Sequence, residues 1–161
     1  MCGKAHAGAR LRKEREIEME VDVRQRWVTV GKEFDFHAAH QLPNHDGQCQ
    51  RVHGHTYKLV IEVRGLPQET TGESDEGMVI DFGRIKWAYK NLIEPIFEHH
   101  DLNLTVRPLL YQAGLPEVTS CEVMVQFIAQ RLSAHWADED RFRLTRVRLY
   151  ETPTSYAEVA W

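Results

Sequence analysis

Cysteine is scarce in this chain, and Cys2, Cys49 and Cys121 form an odd, widely spaced set that does not make a disulfide framework. No stretch approaches the roughly 18 consecutive apolar residues of a membrane span, and no apolar leader-like segment stands near the start. A reducing cytoplasm is the expected setting. An excess of one charge is also missing: 20 Lys and Arg stand against 24 Asp and Glu, for a formal net charge of -4 and a pI of about 6.1. Basic residues are scattered among acidic ones, which argues against nucleic acid or a membrane as partner. It leaves room for a local basic patch that holds a phosphorylated substrate. Internal repeats and low-complexity segments are absent, and 161 residues make one domain able to bury a core without disulfides.

Residues 1–24 carry alternating charge from Arg10 to Glu20 and little that fills a core, so a flexible extension is expected there and a folded domain over 25–161. From Trp27 the pattern changes. Phe34, Phe36, Ala38 and His40 recur at every second position, the period of a strand with one covered face. A Pro43–Gly47 loop leads to Cys49, and His53, His55, Tyr57, Leu59, Ile61 and Val63 repeat the same period on a second strand. The alternate positions Thr56, Lys58, Glu62 and Arg64 are polar, as on a sheet with one face in water. A turn-rich excursion, Gly65 to Gly77, precedes an expected strand over Met78–Ile80. Asp81 is placed to cap a helix that Pro95 should bend or end early, leaving His99 and His100 near its boundary. Leu104–Val118 reads as loop. Thr119 and Glu122 have capping-box spacing before the apolar stripe Val123, Phe127, Ile128 and Leu132 of a second helix. A last strand, Arg143–Glu151, puts Val147, Leu149 and Glu151 in one parity. The order implies α+β architecture with helices on one face of an antiparallel sheet.

The chemistry gathers on three histidines. His53 and His55, two apart on an extended chain, project to one side, and antiparallel pairing brings His40 against them. Three neutral imidazoles suit zinc and leave a position for water or substrate. His6, His45 and His135 lack that context. For Cys49, four residues before His53, three readings stand together: a fourth ligand closing a structural site, a thiolate that moves protons beside the metal, and an inert thiol.

Several segments together resemble one family. They are Phe34-Asp35-Phe36-His37-Ala38-Ala39-His40, Cys49-Gln50-Arg51-Val52-His53-Gly54-His55, Asp81-Phe82-Gly83, His99-His100-Asp101-Leu102-Asn103, Thr119-Ser120-Cys121-Glu122 and Glu151-Thr152. Their order is similar to that of the 6-pyruvoyltetrahydropterin synthase/6-carboxytetrahydropterin synthase family, from about Trp27 to the C-terminus. The resemblance implies a tunnelling fold, a four-stranded antiparallel sheet with two helices on one face, and trimers or hexamers with active sites at subunit interfaces. It assigns His40, His53 and His55 to Zn2+, Cys49 to proton abstraction, His99 to the proton relay, and Glu151 to the pterin ring, with Thr119 and Glu122 lining the pocket. One departure is Glu98, which stands where the family usually has Asp beside the relay histidine. The extra methylene changes its reach.

The resemblance further implies 7,8-dihydroneopterin triphosphate as substrate. The compact Cys49-x-x-x-His53-x-His55 arrangement looks more like the 6-carboxytetrahydropterin synthases, which release acetaldehyde and triphosphate and feed queuosine and other deazapurines. The other readings are a 6-pyruvoyltetrahydropterin synthase, a non-catalytic zinc-stabilised pterin-binding protein, and an aldolase-like relative, against which the Cys49 thiol argues.

Overall fold

The structure, a computed structural model, describes residues 26–161. The expected extension over 1–24 lies outside the described residues. Two long strands, β1 (Val28–His40) and β2 (His53–Gly65), form the centre of the fold. They pair antiparallel from Val28 opposite Gly65 to His40 opposite His53. β-Branched and aromatic residues at alternate positions favour such a half-buried ribbon, and the burial follows: Tyr57, Leu59, Ile61 and Val63 are fully enclosed.

After β2 the chain reaches α1 (Phe82–Ala88), a π-helical turn (Tyr89–Ile93) and α2 (Glu94–Phe97). Asp81 caps α1 as anticipated, its carboxylate accepting from the Gly83 amide at 2.6 Å. Pro95 does not end the helical run. It occupies the first turn of α2, directly after the widened turn, where its missing N–H costs least. β3 (His100–Asp101), α3 (Leu102–Thr105) and α4 (Arg107–Gln112) follow, then α5 (Cys121–His135), β4 (Phe142–Thr152) and β5 (Ser155–Ala160).

The sheet order is β3-β1-β2-β4-β5. The α+β class holds, with two corrections to the count. The sheet is mixed and five-stranded, because β3 adds a short parallel pairing to β1 and β5 returns antiparallel to β4. The helical layer has more than two pieces. Leu104–Val118 is not simply loop: Leu102 and Leu110 are fully buried on two short helices, with Val106 buried at the turn between them, and the sequence pattern was too brief to reveal them. Met78–Ile80 forms no strand; Val79 and Ile80 are buried instead in the approach to α1. Thr119 and Glu122 make no capping box, since the cap of α5 is Ser120, whose hydroxyl accepts from the Val123 amide. Thr119 is used elsewhere.

The core lies between the inward sheet face and the helices, where Phe36, Leu59, Ile61 and Leu149 share one cluster with Ile93 and Ile128. At Gly65 this packing leaves no room: a Cβ there would lie 2.6 Å from the Arg141 carbonyl oxygen and 3.0 Å from Val79. Gly65→Ala must therefore push backbone aside, at about 1–3 kcal/mol. A thermal melt of this variant is expected several degrees below wild type; an unchanged midpoint would contradict the packing described.

Candidate metal centre and its surroundings

The register of β1 and β2 builds the centre. His40 faces His53 and Ala38 faces His55, so three imidazoles meet at the open end of the inward face. Ring centroids are 4.6 Å apart for His40–His53, 5.3 Å for His40–His55 and 4.9 Å for His53–His55. One nitrogen from each falls within 4.8 Å of the other two.

Two rings are fixed from behind. His40 Nδ1 lies 2.8 Å from the Thr119 carbonyl oxygen, and His53 Nδ1 lies 2.8 Å from the Arg51 carbonyl oxygen. A carbonyl only accepts, so Nδ1 carries the proton in both and Nε2 keeps its lone pair. This orientation of an imidazole by its other nitrogen is common behind metal ions. The backbone beyond His40 is clamped as well: the Asn103 side chain bonds both the amide and the carbonyl of Gln41, at 2.8 and 2.9 Å. The buried Thr119 hydroxyl donates to the same carbonyl at 3.3 Å.

The centre fits a cation. Nε2 of His40 and Nε2 of His55 are buried without a hydrogen-bond partner, an arrangement that costs about 1–3 kcal/mol per atom when unanswered. Burial, the largest influence on each, holds both rings below the ordinary imidazole value, which favours the neutral, ligating form. Three nitrogen donors suit zinc or a similar borderline ion.

The remaining site residues stand around this centre. Glu151, on β4, brings Oε1 to 3.6 Å from His40 Nε2. Cys49 is half-buried on a short 3-10 turn, Gln48–Gln50, and contributes no atom to the tight nitrogen cluster. Glu122 is exposed in the first turn of α5. Asp81 serves its helix.

Glu98 and His99 form a second unit. Glu98 Oε1 lies 2.7 Å from His99 Nδ1, while Oε2 accepts from the His37 amide at 2.9 Å. The glutamate thus spans the His99 imidazole and the edge of β1. His99 has a left-handed backbone, φ 57°, a conformation that costs a non-glycine residue of order 1–3 kcal/mol. Its amide donates to the His37 carbonyl at 2.6 Å, and β3 begins at the next residue. Two clefts flank the start of β2. One, about 640 Å³, reaches Lys58 and Glu151; the other, about 610 Å³, reaches His37 and His99; His55 and Thr56 line both. His99 and Glu151 therefore line different clefts, which meet at His55 and Thr56. The carbonyl anchors at Arg51 and Thr119 escaped sequence reasoning, because a backbone acceptor leaves no residue-type signal.

The lowered His40 and His55 pKa values set the sign of an acid effect. Below 6.5 the unfolded chain protonates these imidazoles while the folded chain resists, so the unfolded state holds more protons and stability falls with pH. Metal-free protein should melt at a lower temperature at about pH 5.5 than at about pH 7.5, with a smaller drop in His55→Gln. A midpoint that rises on acidification would contradict the assignment.

Comparison with known proteins gives the family and the fold. A 6-carboxy-5,6,7,8-tetrahydropterin synthase of Haemophilus influenzae is 34% identical over 141 residues, covering 80% of this chain and 96% of that protein. One of Synechocystis is 36% identical over 112 residues, covering 61% and 85%. Among solved structures, the 6-pyruvoyl tetrahydropterin synthase of Caenorhabditis elegans aligns with a TM-score of 0.69 at 23% identity, over 86% of this chain and 98% of that one, a likeness of fold. The family model described as 6-pyruvoyl tetrahydropterin synthase matches residues 29–160, and the chain belongs to that family.

Proposed function

We propose that this protein is a zinc-dependent 6-carboxy-5,6,7,8-tetrahydropterin synthase, converting 7,8-dihydroneopterin triphosphate with release of acetaldehyde and triphosphate. The observation that carries the enzymatic part is the cluster of three imidazoles, two of which, His40 and His55, have a buried Nε2 without a hydrogen-bond partner; the bonded Glu98–His99 pair adds to it. Curated relatives of that name support the choice of product.

His40, His53 and His55 hold the ion in this reading. When bound, zinc supplies a positive centre that polarises the substrate's side-chain hydroxyls and stabilises negative charge there. Glu151 accepts from the amino and ring N–H donors of the pterin, fixing the ring and rejecting rings that lack those donors. Thr119 holds His40 through its carbonyl, and Glu122 stands at the pocket rim. Cys49 takes a proton from the substrate side chain, and His99 passes protons on, with Nδ1 held by Glu98 so that Nε2 faces the cleft. The ring gains its two electrons from the substrate's own side chain, so no external reductant enters, and one water is consumed to supply the second oxygen of the carboxylate as the side chain is cleaved.

We place the reaction in queuosine and deazapurine biosynthesis in the cytoplasm, in a homo-oligomer of trimers or hexamers with interfacial sites. The exposed His99 ring, 72% accessible, supports a site completed by a second copy. Among the described residues no helix is long and apolar enough to cross a membrane. The family description itself favours the second reading, a 6-pyruvoyl product made by the same early proton transfers without side-chain cleavage.

Product analysis of purified protein with zinc and substrate should find acetaldehyde and triphosphate; a pyruvoyl product without acetaldehyde would reverse the choice. Cys49→Ala is expected to keep stoichiometric zinc and lose at least about 100-fold in turnover, while His53→Ala loses the metal. Equal metal loss in both would make Cys49 a ligand and remove its proton-transfer role. Light scattering should give a multiple of three chains, and a mass of 18.8 kDa would remove the interfacial site.

A further inference from the structure

Tyr57 follows His55 at the next inward position of β2 and is fully buried, yet its hydroxyl has no hydrogen-bond partner. The ring itself is well placed: it stacks on Phe36 at 5.0 Å and meets the edges of His55 at 5.4 Å and His40 at 6.1 Å. Packing alone would be served equally by phenylalanine, without the cost of a stranded O–H. The register indicates what the hydroxyl faces. β2 and β4 pair with Lys58 opposite Tyr150 and Leu59 opposite Leu149, so the next step toward the open end sets Tyr57 opposite Glu151, in the inward parity of both strands.

We propose that Tyr57 is a positioning residue for Glu151: its buried hydroxyl donates to the Glu151 carboxylate and aims it into the cleft. The reasoning is one of supply and demand among three groups. Glu151 Oε1 sits 3.6 Å from His40 Nε2, beyond hydrogen-bond length, and that nitrogen, with its ring's proton on Nδ1, has a lone pair for a cation and nothing to donate. The phenol O–H is then a buried donor on the facing strand, without an acceptor in this structure. A carboxylate has lone pairs enough to accept from Tyr57 on one side and from a ligand's N–H groups on the other. Fixing it from beneath lowers the ordering cost when a ligand with paired N–H donors arrives.

This rests on the reading of Glu151 as the pterin anchor, and the experiment separates the two. Tyr57→Phe removes only the oxygen. It should keep the zinc stoichiometry of wild type and melt, metal-free, at the same or a slightly higher temperature, because a stranded hydroxyl is lost. In zinc-loaded, ligand-free protein, the side-chain carboxyl carbon of Glu151, followed by carbon NMR with Glu151→Gln as its assignment, should shift on Tyr57→Phe. Affinity for 7,8-dihydroneopterin, measured calorimetrically without turnover, should fall about 10- to 100-fold, the range for one hydrogen bond to a charged group. Adding Tyr57→Phe to Glu151→Gln should cost far less than it does alone.

An unmoved Glu151 carbon overturns the contact whatever the binding shows. A shifted carbon in a protein that does not bind the reduced pterin keeps the contact and removes the pterin-anchor reading. Additive binding losses, or an affinity within twofold of wild type, overturn the positioning role.

Discussion

Everything functional in this molecule depends on the antiparallel pairing of β1 with β2, which sets His40 directly across from His53. A slip of one residue would turn every side chain of one strand to the opposite face and disperse the three nitrogens. The register is held by the same residues that make the core: Phe36 lies opposite Tyr57 and the partly buried Phe34 opposite Leu59, and a one-residue slip would turn one member of each pair outward. Fold and site are thus one device, an apolar ladder whose last rungs are imidazoles.

The surroundings then fix what the register brings together. Backbone carbonyls at Thr119 and Arg51 choose the tautomer of two rings. Asn103 and Thr119 tie down the chain just beyond His40. The Glu98 carboxylate, bound to both His99 and β1, retains an imidazole in a backbone conformation it would otherwise avoid. These supports come from α3, from the start of α5 and from the end of α2, and so the helical layer serves the site as well as the core. The histidine centre and the Glu98–His99 unit meet along the first residues of β2, where the two clefts share His55 and Thr56.

Much of this was legible in the sequence, for a physical reason. A strand's period of two is rigid, so Phe34 to His40 and His53 to Val63 disclosed both the covered face and the convergence of the histidines. The Asp81 cap was readable because one side chain bonds an amide two residues ahead. Short helices were not: α3 and α4 are too brief to show a period, and their buried residues come from tertiary packing. The placement of the α5 cap at Ser120 instead of Thr119 turns on Thr119 being drawn to Gln41, across 78 residues of chain. Met78–Ile80 read as a strand because it is apolar, and burial without a pairing partner satisfies the same pattern. β5 and the two-residue β3 went unread, because Ser155–Ala160 and His100–Asp101 are too short to establish an alternation.

The central claim is that three imidazole nitrogens hold one ion and leave it open to an oxygen ligand. X-ray absorption on zinc-loaded protein tests this directly. The account predicts a first shell of nitrogen and oxygen only, with the multiple scattering of about three imidazoles. A sulfur contribution at about 2.3 Å, which would place Cys49 on the metal and close the site, would contradict it.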